Sequence, residues 1–190
     1  WGGTPEKRRA FVLAVYREMR EAVGPDFPIG IKLNSADFQR GGFTEEESLD
    51  TIRALAEAGI DLIEVSGGTY EAPAMTGVKA DKTAVKESTR QREAYFMAFA
   101  EKARQAVKVP LVVTGGFRSA QGMADAITSG AVDLVGIARI MAIEPDVCLR
   151  LLKGQDPQET VSPRNTGIPM IDKMGLLEET WYTCLLYTSP

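Results

Sequence analysis

Short apolar runs alternate with stretches of helical periodicity along most of the chain. The apolar runs cover residues 29–33, 61–66, 110–114 and 133–137. Between them, apolar residues recur every three or four positions, which is the spacing of one face of a helix. Strands without clean polar alternation are typical of a parallel sheet that is covered on both faces. The pattern therefore predicts an α/β fold of four strand-helix units, and either a doubly wound sheet or half of a barrel would satisfy it.

Helix starts are marked by residues that can cap the free N–H groups of a first turn. Thr4 predicts the start of the first helix, and Thr44 with Glu47 forms a capping box before the second. Two further helices are predicted over 90–107 and 119–129. The first helix carries an apolar stripe that consists of Phe11, Val15, Met19 and Ala22.

The α/β pattern stops near residue 153, and this divides the chain into two parts. Residues 1–153 are predicted to form the α/β domain, and residues 154–190 a C-terminal extension with a late helix at 174–182 on the outside of the fold. The chain opens at Trp1 in what is predicted to be a loop, so we expect a truncated sequence. The last residues, 184–190, match nothing before them, and we expect them to be foreign to the protein.

Composition narrows the classes of partner. The chain has 22 basic and 26 acidic residues, a net charge of −4 and no basic run. This argues against a nucleic-acid or anionic-membrane partner, because both need concentrated positive charge. The two cysteines have no CxxC spacing, and no membrane-length or signal-like segment is present, so a cytoplasmic setting is expected. The absence of histidine removes the commonest general base and metal ligand, and no metal site is predicted.

The carboxyl ends of the predicted strands carry the candidate ligand-binding residues, because ligands of parallel α/β folds bind at that edge. Glycine allows a backbone to approach an anion closely, and a helix that starts after such a turn adds its positive end. An arginine fork suits phosphate oxygens. Adjacent strands would thus form a phosphate site. The residues at this edge are Lys32, Ser66-Gly67-Gly68, Gly115-Gly116 and Ala138-Arg139.

Each of these residues also has a simpler interpretation. Paired glycines after a strand are often only a turn, Arg139 could be a surface arginine, and Lys32 could be a solvated strand end. Several other candidates are weaker: Tyr70 follows a glycine pair in the long 69–88 segment, whose length is typical of a binding loop. Asp37 and Glu64 are acidic residues near strands and are also weak candidates. Asp61 and Asp133 are expected to be structural at strand entries, Cys148 to pack on a helix, and Tyr16 and Tyr95 to lie on the outside.

Four segments resemble the second half of NADH:flavin oxidoreductases of the Old Yellow Enzyme family. They are GPDFPIGIKLNSADFQRGGFTEEES, DLIEVSGGTYE, VPLVVTGGFRS and VDLVGIARIMAIEPD, and the likeness spans about residues 1–182. The resemblance implies strands 5–8 of a (β/α)8 TIM barrel that binds FMN. It also implies hydride transfer from NAD(P)H to the flavin and then to an activated alkene, a small-molecule substrate.

The resemblance assigns roles to particular positions. Lys32 matches the family's cation beside the flavin ring, which is usually an arginine, and Gly115 and Gly116 match the phosphate-binding turn. Ala138 and Arg139 match the second phosphate contact. The family's substrate-orienting pair and its proton-donating tyrosine belong to the first four strands, so no catalytic residue is assigned here. The chain alone is expected to be inactive, and to associate or stay partly unfolded.

Two other functions remain open from the residues alone. A phosphate-binding barrel without flavin, such as an isomerase or an aldolase, would use the same glycines and Arg139, with Lys32 as a Schiff-base lysine. A non-catalytic module would pair two half-barrels into one. The sequence does not determine the oligomeric state, the substrate, or the choice between NADH and NADPH.

Overall fold

A computed structural model describes residues 1–37, 40–66, 97–117, 119–159, 166–168, 172 and 176–188. Its strands are β1 (Gly30–Asn34), β2 (Leu62–Ser66), β3 (Leu111–Thr114) and β4 (Leu134–Gly136). Its helices are α1 (Pro5–Val23), α2 (Glu45–Ala58), α3 (97–106), α4 (Ala120–Thr128), α5 (Arg139–Ile143), α6 (Val147–Leu151) and α7 (Leu176–Thr188).

The strands form one parallel sheet in the order β1-β2-β3-β4. Each new strand is added on the same side of the previous one. A doubly wound sheet instead reverses its strand order at a switch point. The sequential order is the winding of a (β/α) barrel, so it favours that architecture over the alternative that periodicity left open.

The hydrophobic core lies between the sheet and the helices. Ile63, Val65, Leu111 and Val113 of the two central strands are at most 1% exposed, and they pack with side chains of α2 and α3. Full burial of an aliphatic side chain of this size stabilises a fold by about 1.5–3 kcal/mol. The core side chains supplied by the helices include Ile52, Leu55, Phe99, Ala100 and Ala103.

The predicted helix starts are confirmed. Thr44 Oγ1 accepts the Glu47 N–H at 3.3 Å, and Glu47 Oε2 accepts the Thr44 N–H at 3.0 Å, which is a complete capping box. Thr4 caps α1 by accepting the Lys7 N–H at 3.4 Å. Of the predicted third helix, residues 97–106 are helical, and its first residues lie outside the described part of the chain.

The apolar stripe of α1 does not face the core. Phe11, Val15 and Met19 are 58%, 41% and 47% exposed. Trp1 packs edge-to-face against Phe11, with ring centroids 5.6 Å apart. The face that α1 buries carries Tyr16 instead. Periodicity identifies an apolar stripe, but it does not say which element covers that stripe.

Two single-residue predictions were also wrong. Tyr16, expected on the outside, is 5% exposed, and its hydroxyl lies under Gly59 and accepts a hydrogen bond from Arg20 Nε at 3.4 Å. Cys148 lies on a helix as expected, but its thiol is exposed, because α6 is a single short turn whose buried residue is Val147. Periodicity does not decide the burial of Tyr16, because tyrosine has an apolar ring and a polar hydroxyl and occurs both in cores and at surfaces.

Two equivalent ion-pair clamps confirm that Asp61 and Asp133 are structural. Asp61 Oδ2 accepts the Ile29 N–H at 2.7 Å and pairs with Arg20 of α1. Asp133 Oδ2 accepts the Leu111 N–H at 2.8 Å and pairs with Arg104 of α3. Asp61 thus joins the start of β2 to the start of β1 and to α1. Asp133 joins the start of β4 to the start of β3 and to α3. Asp61-Leu62 and Asp133-Leu134 are thus equivalent strand entries at the amino edge of the sheet.

The C-terminal part contacts the α/β domain at several points. Asp156 Oδ1 accepts the Ala120 N–H at 2.8 Å, and Glu144 Oε2 accepts the Gln158 N–H at 2.9 Å. Helix α7 packs against α5 and buries Tyr182. It extends beyond the predicted 174–182 helix. None of the helices in the described ranges is long and apolar enough to cross a membrane.

Candidate cofactor site

The predicted phosphate-binding residues lie at one edge of the sheet. Gly115 and Gly116 follow β3 directly, and Ala138 and Arg139 follow the neighbouring strand β4. Because β3 and β4 are paired and parallel, their carboxyl ends are side by side. The structure therefore brings together the two segments that the sequence assigned to one anion site.

Both glycines of the turn have a backbone conformation that other residues rarely adopt. The φ angle is 104° at Gly115 and 88° at Gly116. The Gly115 N–H donates to the Gly136 carbonyl at 3.3 Å, so this group continues the sheet and is not directed at a ligand. Gly115 shapes the turn, and Gly116 is the glycine whose N–H remains as a candidate donor toward an anion.

A third glycine at this edge was not singled out from the sequence. A Cβ atom on Gly136 would lie 1.9 Å from Thr114 Oγ1 and 2.9 Å from Thr114 Cβ. Only glycine therefore allows Thr114 to occupy its place on β3. Gly136 appeared to be an ordinary strand residue, because the clash depends on the register between β3 and β4.

Arg139 is half-buried at the first position of α5, and Ala138 before it is exposed. The start of α4 contributes less to anion binding than the sequence predicts. At the start of α4, the Ala120 N–H donates to Asp156, and the Gly122 N–H donates to Ser119 Oγ at 3.1 Å. These two N–H groups are already satisfied within the fold, so neither is available to an anion.

Lys32 lies in the middle of β1 and not at its end. Its register partner on β2 is Glu64, and Lys32 Nζ lies 3.0 Å from Glu64 Oε1. The two side chains project from the face opposite the core, because the alternate residues Ile31, Leu33 and Ile63 pack toward the helices. Their side chains are 55% and 29% exposed respectively.

Glu64 has a second partner on β3. Burial raises the pKa of Glu64, but hydrogen bonds from Thr114 and Lys32 outweigh this effect and hold the pKa below its ordinary value. A continuous polar contact thus runs from Lys32 through Glu64 to Thr114, across three strands. From the sequence alone, Glu64 is only an acidic residue near a strand. The missed signal was that Lys32 and Glu64 occupy equivalent positions in neighbouring strands.

The carboxyl end of β1 is organised by a separate network. Ser66 Oγ donates to Asn34 Oδ1 at 3.0 Å, and Asn34 Nδ2 donates to Asp37 Oδ1 at 3.1 Å. Asp37 Oδ2 accepts the Phe43 N–H at 2.9 Å. Asp37 therefore closes the loop after β1.

A cavity of about 460 Å³ lies between α1, α2 and the end of β1. None of the residues assigned to phosphate binding lines this cavity, so the cavity is not the candidate phosphate site. Its charged and polar lining residues include both signs: Arg8, Arg9, Lys32, Asn34, Asp37 and Glu47. Gly67, Gly68, Tyr70, Tyr95 and the 69–88 segment lie outside the described residues, so the structure does not place them.

The donor set suits a phosphorylated, electron-accepting ring. Arg139 and the Gly116 turn offer charge-assisted and backbone donors of the kind that bind phosphate. Lys32 offers a cation on the same sheet, at β1, two strands from the Gly115-Gly116 turn that follows β3. The residues present therefore fit a flavin mononucleotide.

Comparison with known proteins identifies the family of the chain. Residues 1–158 match the family model described as the NADH:flavin oxidoreductase / NADH oxidase family. The chain is 42% identical over 149 residues to an NADH-dependent flavin oxidoreductase of Neonectria sp. strain DH2, which covers 76% of this chain and 19% of that protein. It is 35% identical over 176 residues to an NADH-dependent flavin oxidoreductase of Aspergillus parasiticus, covering 92% of this chain and 36% of that protein.

Solved structures show the same fold. A 2-naphthoyl-CoA reductase superposes with a TM-score of 0.69 at 25% identity, covering 82% of this chain and 22% of that one. Morphinone reductase superposes with a TM-score of 0.57 at 22% identity, covering 87% of this chain and 39% of that one. The chain thus spans well under half the length of these relatives, and the predicted resemblance to NADH:flavin oxidoreductases is confirmed. The chain belongs to the NADH:flavin oxidoreductase / NADH oxidase family.

Proposed function

We propose that this chain forms strands 5–8 of a (β/α)8 barrel and supplies the phosphate-binding and part of the ring-binding side of an FMN site. The complete protein would be an NAD(P)H-dependent reductase of activated alkenes. Family membership and the sequential parallel strand order support this proposal. So does the position of the site at the last two strands, since phosphate commonly binds in barrels at the loops after strands 7 and 8.

One observation carries the proposal. The turn of Gly115 and Gly116, with both φ angles positive, lies at the end of β3 directly beside Ala138 and Arg139 at the end of β4. A phosphate placed there would accept the Gly116 N–H and the forked donors of Arg139. Gly115 and Ala138 would contribute backbone shape and space.

Lys32 would place a positive charge beside the flavin ring. When bound, FMN would supply the hydride chemistry, by accepting hydride from NAD(P)H and delivering it to the alkene. A cation near the ring favours its anionic reduced form, which is an electrostatic role that proteins commonly play for cofactors. Lysine presents a point charge on a flexible stem and lacks the planar fork of arginine, so its placement depends on its neighbours.

The groups that orient and protonate a small-molecule alkene would come from the rest of the barrel. The chain contains no histidine, which fits a division in which the orienting pair lies on strands 1–4. We therefore propose that this chain has no turnover by itself.

Purification of the complete barrel tests the proposal. We expect a yellow protein that releases FMN on denaturation and oxidises NADH or NADPH in the presence of an α,β-unsaturated ketone. The chain of residues 1–190 alone should give no turnover under the same conditions. A colourless complete barrel that forms a borohydride-trapped imine through Lys32 would instead support an aldolase.

A further inference from the structure

We propose that Glu64 is a positioning residue for Lys32, and that its charge sets how strongly the site prefers reduced over oxidised flavin. The inference rests on the proposed function, because it concerns the ring-binding side of the same site. It assigns a role to a residue outside the proposed phosphate site.

The contact between the two residues follows from the sheet. Lys32 and Glu64 are register partners on β1 and β2, and Lys32 Nζ lies 3.0 Å from Glu64 Oε1. An ammonium group on a four-carbon stem has many rotamers. A carboxylate on the neighbouring strand restricts them, and this fixes where the cation stands on the sheet face.

Glu64 is itself held from the opposite side. Thr114 on β3 hydrogen-bonds to the Glu64 carboxylate. Thr114 in turn packs so closely on β4 that a Cβ on Gly136 would lie 1.9 Å from its hydroxyl oxygen. The next residue along the chain is Gly115, the first of the phosphate turn. Glu64 therefore lies between Lys32, the cation proposed beside the flavin ring, and β3, the strand that leads to the Gly115-Gly116 turn.

The carboxylate also offsets part of the positive charge that Lys32 presents. A negative charge 3.0 Å from an ammonium weakens the field that a ring on the same face would experience. The ion pair thus fixes the position of Lys32 but weakens the preference of the site for an anionic flavin ring. Removal of the charge without removal of the side chain should separate these two effects.

Glu64→Gln makes that separation, since glutamine retains an oxygen that can accept from Lys32 and from Thr114. In the complete FMN-loaded barrel, we expect this variant to raise the ratio of affinities for reduced and oxidised flavin about tenfold, which is a shift of about +30 mV for a two-electron couple. Lys32→Met should shift the midpoint potential in the negative direction. Glu57→Gln, on the exposed side of α2, removes an equal charge and should leave the potential unchanged.

The midpoint potential of the bound flavin, measured by equilibration with a redox dye, decides the matter. A positive shift in Glu64→Gln that Glu57→Gln does not reproduce supports the inference. An unchanged or lowered potential in Glu64→Gln, with FMN still bound, overturns it and leaves the proposed function intact. Failure of the unsubstituted barrel to bind FMN would instead overturn the proposed function.

Discussion

Lys32 Nζ and Glu64 Oε1 lie 3.0 Å apart on the face of the sheet that points away from the helices. In a complete barrel this face becomes the interior. An ion pair in that position is unusual for a region filled mainly by branched apolar side chains. We therefore propose that the pair belongs to a binding site, and Thr114 extends the polar contact toward the glycine turn at the end of β3.

The Asp61 clamp predicts a specific pH dependence of stability. A hydrogen bond from the Ile29 N–H and the ion pair with Arg20 lower the pKa of Asp61. Because the folded-state pKa lies below the unfolded value, the ionised carboxylate stabilises the fold above the unfolded pKa, and this stabilisation is lost as the pH falls through the folded pKa. Asp61→Asn should therefore lower the melting temperature at neutral pH and have a smaller effect in acid.

The melting temperature, followed from pH 7 down to about pH 3, checks this expectation against the reference pKa of aspartate near 3.9. Asp50→Asn is the matched control, since Asp50 forms an exposed pair with Arg53 within α2. An Asp61→Asn curve parallel to that of the unsubstituted protein at every pH would show that the clamp is not a pH-dependent contact.

The close approach of Thr114 to Gly136 predicts a strong effect of a single methyl group. Gly136→Ala would place Cβ 1.9 Å from Thr114 Oγ1, so one strand must shift. Overpacking of this kind destabilises a fold by about 1–3 kcal/mol. Gly2→Ala adds the same methyl where nothing lies within 4 Å. Denaturant unfolding of the two variants should show a loss of stability in the first alone, and equal midpoints would contradict the packing.

The backbone of the glycine turn predicts an effect on flavin binding as well as on stability. Gly116→Ala must place a side chain at a φ of 88°, and a left-handed conformation of this kind is unfavourable by about 1–2 kcal/mol for an L-residue. Gly130→Ala introduces the same strain at a φ of 75°, after α4 at the other end of the sheet. Both variants should melt earlier, but only Gly116→Ala should bind FMN more weakly in the complete barrel. Equal FMN affinities would remove Gly116 from the site.

The exposed stripe on α1 predicts self-association of the isolated chain. Phe11, Val15 and Met19 are exposed on α1, and β1 has an open edge in the described sheet. Apolar surfaces and strand edges of this kind promote association. Sedimentation of residues 1–190 should give a mass above that of one chain, and it should fall when the three residues are changed to Lys.

Substitution of the polar residues Arg17, Glu18 and Glu21 by Gln is the control for that experiment, since all three are exposed on the same helix. A chain that is already monomeric and melts cooperatively without any substitution would contradict the expectation.

The features that could be predicted from the sequence depend on local chemistry. Thr44 and Glu47 form their capping box within one turn, and Asp61 sits at a strand entry that can be recognised from its neighbours. The proximity of the glycine turn to Arg139 could be predicted with one further assumption, that β3 and β4 are parallel. These elements were predicted because no distant residue decides them.

The features that were missed depend on partners far away in the chain. The role of Glu64 requires the register that pairs β2 with β1 and β3, and the need for glycine at 136 requires the register of β4. The face that α1 buries depends on which elements flank it, and Phe11 is exposed although its spacing is that of a core residue. Tertiary neighbours override periodicity at such positions.

The most direct test of the central claim compares the affinities of the complete barrel for FMN and for riboflavin, which lacks the phosphate. Each charge-assisted hydrogen bond contributes about 1.5–3 kcal/mol, so Arg139→Ala should weaken FMN binding at least about tenfold and leave riboflavin binding unchanged. Arg53→Ala, which removes an exposed arginine from α2, should change neither. If Arg139→Ala binds FMN as tightly as the unsubstituted protein, or loses both ligands equally, the phosphate does not lie between the glycine turn and Arg139.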